Sequence, residues 1–350
     1  MSALPRPLIV LLSLTCIVIL AAGLSAAQAV IAPIVFAFFA IALVWPLQGA
    51  LQKRVPAVAA LLVTMLVTLV TLLGLAWLVA WAFGRVGSHI VANAAQIQAF
   101  YTAQLAWAEA RGIDVAGTIA AQFDARWLVR LAQGVLAQLR GTLSFILLTL
   151  VFVLLGLLEV GAIRSQMLIL RHNTPTALLR AAERIGAKLR AYMLVRTLVS
   201  VATGLVVWAF AAIMGLELAA EWGAIALVLN YIPFLGPLVA TLFPTLFAAL
   251  QFGSWGSALM VFAGMQLMQF LGGSYIEPRL AGRNLAVSPF LVLASVFIGG
   301  FLWGVPGAFI GPPALIAALT LCEEFLAARP FAALLSGKEA REQGVSDEGA

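Results

Sequence analysis

The stretch NYIPFLGPLVATLFP, Asn230 to Pro244, sets three prolines and a glycine inside 55 consecutive positions, 222–276, that carry no charge. Proline removes a backbone N–H and clashes with the preceding turn, so Pro233 and Pro237 interrupt any helix there. In hydrocarbon, irregular backbone is tolerated only where protein or a watery cavity covers it. Broken helices of this kind present backbone dipoles to a solute near the midplane of carrier proteins. Asn230 and Tyr231 at the edge of the break, with Gly236 inside it, add side-chain donors and acceptors and close backbone access. The opposing reading is a packing kink in a span that moves nothing.

A second stretch, GGFLWGVPGAFIGPP, places Gly300, Gly304, Gly307 and Gly311 four, three and four positions apart, which is one face of a helix. Small residues on one face admit a neighbouring helix or leave a groove for a solute. Pro306, Pro312 and Pro313 interrupt the same segment. Gln266 and Gln269, three apart, are expected to face the interior of the bundle and to line the route. Glu277, Pro278, Arg279, Asn284 and Pro289 follow as a polar, proline-bearing gate at a membrane surface. Glu159 is a candidate proton relay, with an interfacial pair to Arg164 as its plainer reading.

Other chemistry finds little material. No G-x-x-x-x-G-K-[ST], H-E-x-x-H or G-x-S-x-G occurs, so a nucleotide motor of that type and the common membrane proteases drop out. Two histidines, His89 and His172, and two distant cysteines, Cys16 and Cys322, suggest neither a metal centre nor a disulfide framework. The expectation is a chain that is not an enzyme, with no cofactor and no nucleic-acid partner.

The elements that position these residues are apolar helices. Of 350 residues 63% are hydrophobic and 10% charged, with mean hydropathy +1.08, whereas soluble domains run at about 45–50% apolar and about 25% charged. The expected class is an all-α polytopic membrane protein of seven to eight spans, broken or re-entrant in the C-terminal half. Since about 20 residues cross the hydrocarbon core, Leu8–Ala27 and Ala29–Leu47 form a hairpin and Val55–Phe83 a third span. Leu8–Ala27 reads as a retained span; a cleavable signal peptide is the other reading.

Residues 84–140 carry eight charges, and Ile119, Phe123, Trp127, Leu131, Val135 and Leu139 recur every four positions as a separate amphipathic helix. Gly141–Leu158 is a fourth span. Arg164, Arg171, Arg180, Arg184, Lys188, Arg190 and Arg196 oppose one acid, Glu183, in what reads as an interfacial helix on an anionic leaflet. Thr197–Leu216 is a fifth span. Positive residues mark the cytoplasmic side, which puts the N-terminus inside and 84–140 outside. Residues 284–322 give 39 more uncharged positions, too many for one straight crossing: a kinked helix or a re-entrant segment plus a span. The linear units are 1–83, 84–140, 141–196, a broken-helix core at 197–328 and a tail at 329–350, the tail disordered.

NYIPFLGPLVATLFPTLFAAL and YIEPRLAGRNLAVSPFLVLASVFIGGFLWGVPGAFIGPPALIAAL together resemble the C-terminal half of the autoinducer-2 exporter family. The likeness covers most of the chain, and 229–316 carries the sharp motifs. Matching positions are Ile232-Pro233, Gly236-Pro237, Glu277-Pro278, Gly282, Pro289, Gly299-Gly300, Gly304, Gly307 and Pro312. The resemblance implies a secondary transporter of the bacterial inner membrane, a homo-oligomer such as a pentamer. It also implies efflux of a small polar or amphiphilic solute such as autoinducer-2, or sodium–proton antiport as in other members. A membrane scaffold without flux, using 84–140 as its interaction surface, is the reading from a different class.

Overall fold

The computed structural model describes residues 6–111, 126–169, 175–281 and 287–324, and all regular structure there is helical. In chain order the helices are α1 (Arg6–Ala26), α2 (Gln28–Leu51), α3 (Ala57–Ala92), α4 (Ala94–Glu109), α5 (Arg126–Ile169) and α6 (Pro175–Ile213). There follow α7 (Ala219–Leu229), α8 (Leu235–Phe252), α9 (Trp255–Leu271), a π-turn at Gly272–Ile276, α10 (Glu277–Ala281) and α11 (Pro289–Glu324). Six of the described helices are long and apolar enough to cross a membrane.

The first two spans start and stop where the apolar runs do, whereas α3 runs past the expected end at Phe83 and through Arg85 to Ala92, because nothing at Gly84-Arg85 stops a helix. Two later expectations are corrected. The amphipathic helix and the fourth span are one 44-residue helix, α5, since nothing at Arg140-Gly141 stops a helix; a lone glycine costs only about 1 kcal/mol. Likewise the basic helix and the fifth span are the single helix α6, 39 residues long, so the cationic segment is the continuation of a crossing. Ile119, Phe123, Arg171, Asn284 and the tail from 325 lie outside the described residues.

Two compact units share these helices instead of dividing the chain in linear order. One holds Met1–Leu69, Phe145–Tyr192 and Arg283–Ala350, the other Val70–Ser144 and Met193–Gly282. In the first, Ala37 and Ile41 of α2 bury against Val153 and Leu157 of α5. Gly156 lets them close: a Cβ there would lie 2.4 Å from Ile41 Cδ1. Phe36 meets Phe145 edge-on at 5.0 Å and stacks on Phe309 at 5.8 Å. At the other end of α11, Lys188 donates to Glu323 at 2.8 Å, and Arg184 and Arg180 pair with Glu324.

Within that unit α11 is not one rod. Trp303 (φ −135°, ψ 17°) and Gly304 (φ 65°, ψ −145°) leave helical geometry, and the second conformation is nearly exclusive to glycine. The chain folds back there: Gly299 and Gly307 touch backbone to backbone, as do Gly311 and Ser295, which a straight helix forbids at those separations. At 1.5 Å per residue, 289–302 reach roughly 21 Å and 305–324 roughly 30 Å, so only the second arm matches a bilayer core of about 30 Å. Of the two readings of 284–322, the structure takes the re-entrant segment plus a span. Trp303 at the tip donates to the Leu24 carbonyl at 3.1 Å.

In the second unit the core gathers Ala82 and Val86 of α3, Val207 and Ala211 of α6, Trp222 and Ile225 of α7, Phe247 of α8 and Met265 of α9. The prolines of NYIPFLGP end α7 and start α8, which run antiparallel: Trp222 and Phe247 pack at 5.4 Å at one end, and Gly236 sits on the Leu229 carbonyl at the other. The expected break is therefore a fold-back. Its backbone is closed by local bonds, Asn230 to Ala226, Ile232 to Leu229, Leu235 to Pro233 at 2.7 Å and Gly236 to Ile232. Phe234 (φ 62°, ψ −54°) is the centre of the Pro233–Leu235 bond, a γ-turn of the rare positive-φ form.

Candidate functional site

α6 carries a polar stripe that the linear reading split between two elements. Arg196, Ser200 and Thr203 are four and three apart, hence on one face, and all are buried, at 7%, 0% and 6% exposure. One residue on, Gly204 faces Gly223 of α7: a Cβ on Gly204 would lie 2.9 Å from the Gly223 carbonyl oxygen, and one on Gly223 2.8 Å from that of Gly204. This close approach brings the α7 end to the stripe. Asn230 Nδ2 donates to Ser200 Oγ at 3.3 Å, and Tyr231 Oη to Thr197 Oγ1 at 3.0 Å. Asn230 is itself buried.

On the other side of the stripe lies the π-turn. Gly272 packs against Thr203, whose Oγ1 would be 3.3 Å from a Cβ at that glycine. The Glu277 N–H bonds the Gly272 carbonyl, five residues back. Short π-turns inside α-helices recur at functional sites. This one delivers Glu277 to Arg196: Nη1 donates to Oε2 and Nη2 faces Oε1, both at 3.0 Å. A two-pronged carboxylate–guanidinium pair is the geometry that lets a charge stay buried. The elbow at 230–234 is level with Thr197–Ser200, about one helical turn from Arg196, where charged residues resume. It thus lies beside the start of the apolar run of α6.

The sequence-derived residues fall into two sets. Asn230, Tyr231, Pro233, Gly236, Pro237, Gln269 and Glu277 belong to the unit just described, and of these Asn230, Tyr231 and Glu277 bond to α6. Gln266 is exposed while Gln269 is buried, so the two do not share an environment. Pro278 is the second residue of α10. Arg279 is exposed and stands over the Tyr275 ring at 5.9 Å; Glu277 pairs with Arg196 rather than with Arg279. In the other unit, Gly307, Gly311 and Pro312 are buried between the arms of α11, Gly300 meets only the Ala308 methyl, and Gly304 makes the turn and is exposed. The four glycines hence form a folded-back seam and not one continuous face. Pro289 starts the first arm and is exposed, as is Glu159 on α5.

Arg196, Ser200 and Thr203 are what the linear reading missed as a group. The signal was present: a charge and two hydroxyls at helical spacing leading into an apolar span. Elsewhere in the same unit Glu221, buried in the first turn of α7, takes Arg85 Nε at 2.7 Å. Glu217 faces His89 at 3.4 Å, and its backbone N–H donates to Gln251 Oε1 at 2.9 Å. Among the described residues no cluster of three or more metal-ligating side chains occurs. Hydroxyls, a carboxamide and one charge pair between close-packed helices make a surface able to hold or pass a hydrogen-bonding solute.

Helices of this length and apolarity, with two hairpin fold-backs among them, define an all-α multi-pass membrane protein. The sequence matches the AI-2E family transporter model over residues 14–327, and the chain belongs to that family. It is 30% identical to "AI-2 transport protein TqsA" of Escherichia coli (strain K12) over 93% of this chain and 95% of the relative. Identity to "Putative transport protein YhhT" of the same strain is 26%, covering 87% of each. A "Putative transport protein" of Haemophilus influenzae is 24% identical over 94% of this chain and 96% of its own length. The chain is accordingly a membrane transporter.

Proposed function

We propose that the chain is a secondary transporter of the bacterial inner membrane that exports a small polar or amphiphilic solute, of which autoinducer-2 is an example. One observation carries this reading: an interhelical polar seam, Arg196–Ser200–Thr203 with Asn230, Tyr231 and Glu277, lies where α7 folds back and α9 loosens into a π-turn. Buried polar side chains in a spanning helix are costly and mark solute routes. The name of the Escherichia coli relative supports the solute class. In this reading the N-terminus is cytoplasmic and 84–140 external, the protein works as a homo-oligomer such as a pentamer embedded in lipid, and it does no catalysis.

Comparative profiling of the medium of a deletion strain and an overexpressing strain identifies the solute. Proteoliposomes loaded with it then compare wild type with Asn230→Leu and Ser200→Val, which keep size and remove hydrogen bonding. Efflux reduced about tenfold or more, the equivalent of losing one good hydrogen bond to the moving solute, supports the reading. Unchanged efflux in both variants removes the seam from the route.

A further inference from the structure

The transporter reading uses the seam as a polar lining, yet its strongest group is a guanidinium. Arg196 is buried, and the Glu277 carboxylate covers it with two contacts of 3.0 Å. Guanidinium forks recognise carboxylate and phosphate in this two-pronged way. Ser200 and Thr203 stand one and two turns along the same face, and Asn230 reaches Ser200 from α7. A guanidinium with hydroxyls and a carboxamide beside it is a donor set suited to an oxyanion.

Glu277 holds its place through the π-turn. Its N–H reaches five residues back to Gly272. Successive residues of an α-helix turn by about 100° and rise about 1.5 Å. If Gly272–Ile276 returned to α spacing, Glu277 would swing about 100° around the axis and leave Arg196. The turn begins with two glycines, and a Cβ on Gly273 would meet nothing within 4 Å, so no side chain there locks the register.

We propose that Arg196 is the receptor for an oxyanion, a carboxylate or phosphate group, and that Glu277 occupies it as an internal counter-ligand which the π-turn delivers and withdraws. The inference rests on the transporter reading only for the anion being cargo; binding itself needs no flux. A tethered carboxylate competes at an effective concentration of millimolar order.

The test uses full-length wild type, Glu277→Gln, the double variant Arg196→Gln/Glu277→Gln and a Gly273 deletion, each in phosphatidylcholine nanodiscs titrated calorimetrically with inorganic phosphate. Glu277→Gln should bind saturably, wild type about tenfold or more weakly because of the tethered competitor, and the double variant not at all. The deletion keeps every charge and removes the extra residue, so the turn becomes α with Glu277 still facing Arg196, because one residue fewer at α spacing covers the same rotation; with no register left to shift, it should bind no more tightly than wild type. Glu277→Ala serves should Glu277→Gln fail to fold. Equal responses of Glu277→Gln and the double variant overturn the anion site, and a deletion that binds as Glu277→Gln does overturns the register mechanism. Repeating the titration in phosphatidylglycerol nanodiscs separates sources: loss of the phosphate response names a lipid headgroup as the resident anion, and its persistence names a soluble one. Phosphate binding with efflux unchanged in Glu277→Gln keeps the site and removes it from the transport route.

Discussion

Gly299 and Gly307 meet backbone to backbone across the fold of α11, each occupying the space the other's side chain would need. A Cβ on Gly299 would lie 2.1 Å from the Gly307 carbonyl oxygen, and one on Gly307 1.9 Å from that of Gly299. Gly300 is the internal control, since its Cβ would make an ordinary 3.6 Å contact with Ala308. Gly299→Ala and Gly307→Ala should each destabilise by about 3 kcal/mol, the upper range for overpacking, while Gly300→Ala changes stability by less than about 1 kcal/mol or gains slightly from helix propensity. Thermal unfolding of the purified variants reads the contrast.

Gly236 fixes the other hairpin. A methyl there would sit 1.8 Å from the Leu229 carbonyl oxygen, and backbone cannot step aside as a flexible side chain can. Gly236→Ala should therefore destabilise by about 3 kcal/mol or more. By contrast Pro233→Ala/Pro237→Ala should leave α7 and α8 folded back, because Trp222 and Phe247 hold the far end. The fluorescence of buried Trp222 follows both, shifting red for the glycine variant only.

Phe234 holds φ 62° with its side chain half exposed. An L-residue there is disfavoured by about 1–2 kcal/mol, a penalty glycine escapes. Phe234→Gly should stabilise the fold by up to about 1 kcal/mol once lost packing is deducted. A melting temperature below wild type would show that the ring contributes more packing than its exposure indicates.

Glu323 and Glu324 clasp α11 to the cationic face of α6 through Lys188, Arg184 and Arg180. Arg180 and Arg184 are largely exposed, so solvent screens their share. Glu323→Gln/Glu324→Gln should cost about 1–2 kcal/mol at low salt and under about half of that near 1 M salt, where the Debye length is about 3 Å. Melts across a salt series test it. A cost independent of salt would assign the effect to packing.

Much of the fold was legible because apolar run length dictates a span: α1 and α2 begin and end within a few residues of the expected boundaries, and α3 begins at its proline but continues through Arg85 to Ala92. Prolines located the fold-back between α7 and α8; in α11 the chain turns at Trp303-Gly304, and Pro306, Pro312 and Pro313 lie inside the helical arm that follows. What the chain does after a break is a tertiary matter. The contacts of Gly299 with Gly307 and of Gly236 with Leu229 decide for hairpins, and no linear pattern states which backbone a glycine will touch. Arg196 was hidden among six other cations of its stretch, since a charge map by position cannot show that a π-turn 76 residues later aims a carboxylate at it. α5 and α6 run through their expected boundaries because polarity changes there while helix propensity does not.

The central claim is that solute moves along the face of α6 that bears Ser200 and Thr203. Cysteines placed at Ser200, Thr203 and Asn230, and at the lipid-exposed Leu198 and Leu205, in a Cys16→Ser/Cys322→Ser background, can be labelled in membranes with a charged, impermeant methanethiosulfonate. A thiol must ionise in water to react. The account predicts that the three seam cysteines react about tenfold or more faster than the two lipid-facing ones, although the seam is the more buried. Equal or slower labelling of the seam would contradict it.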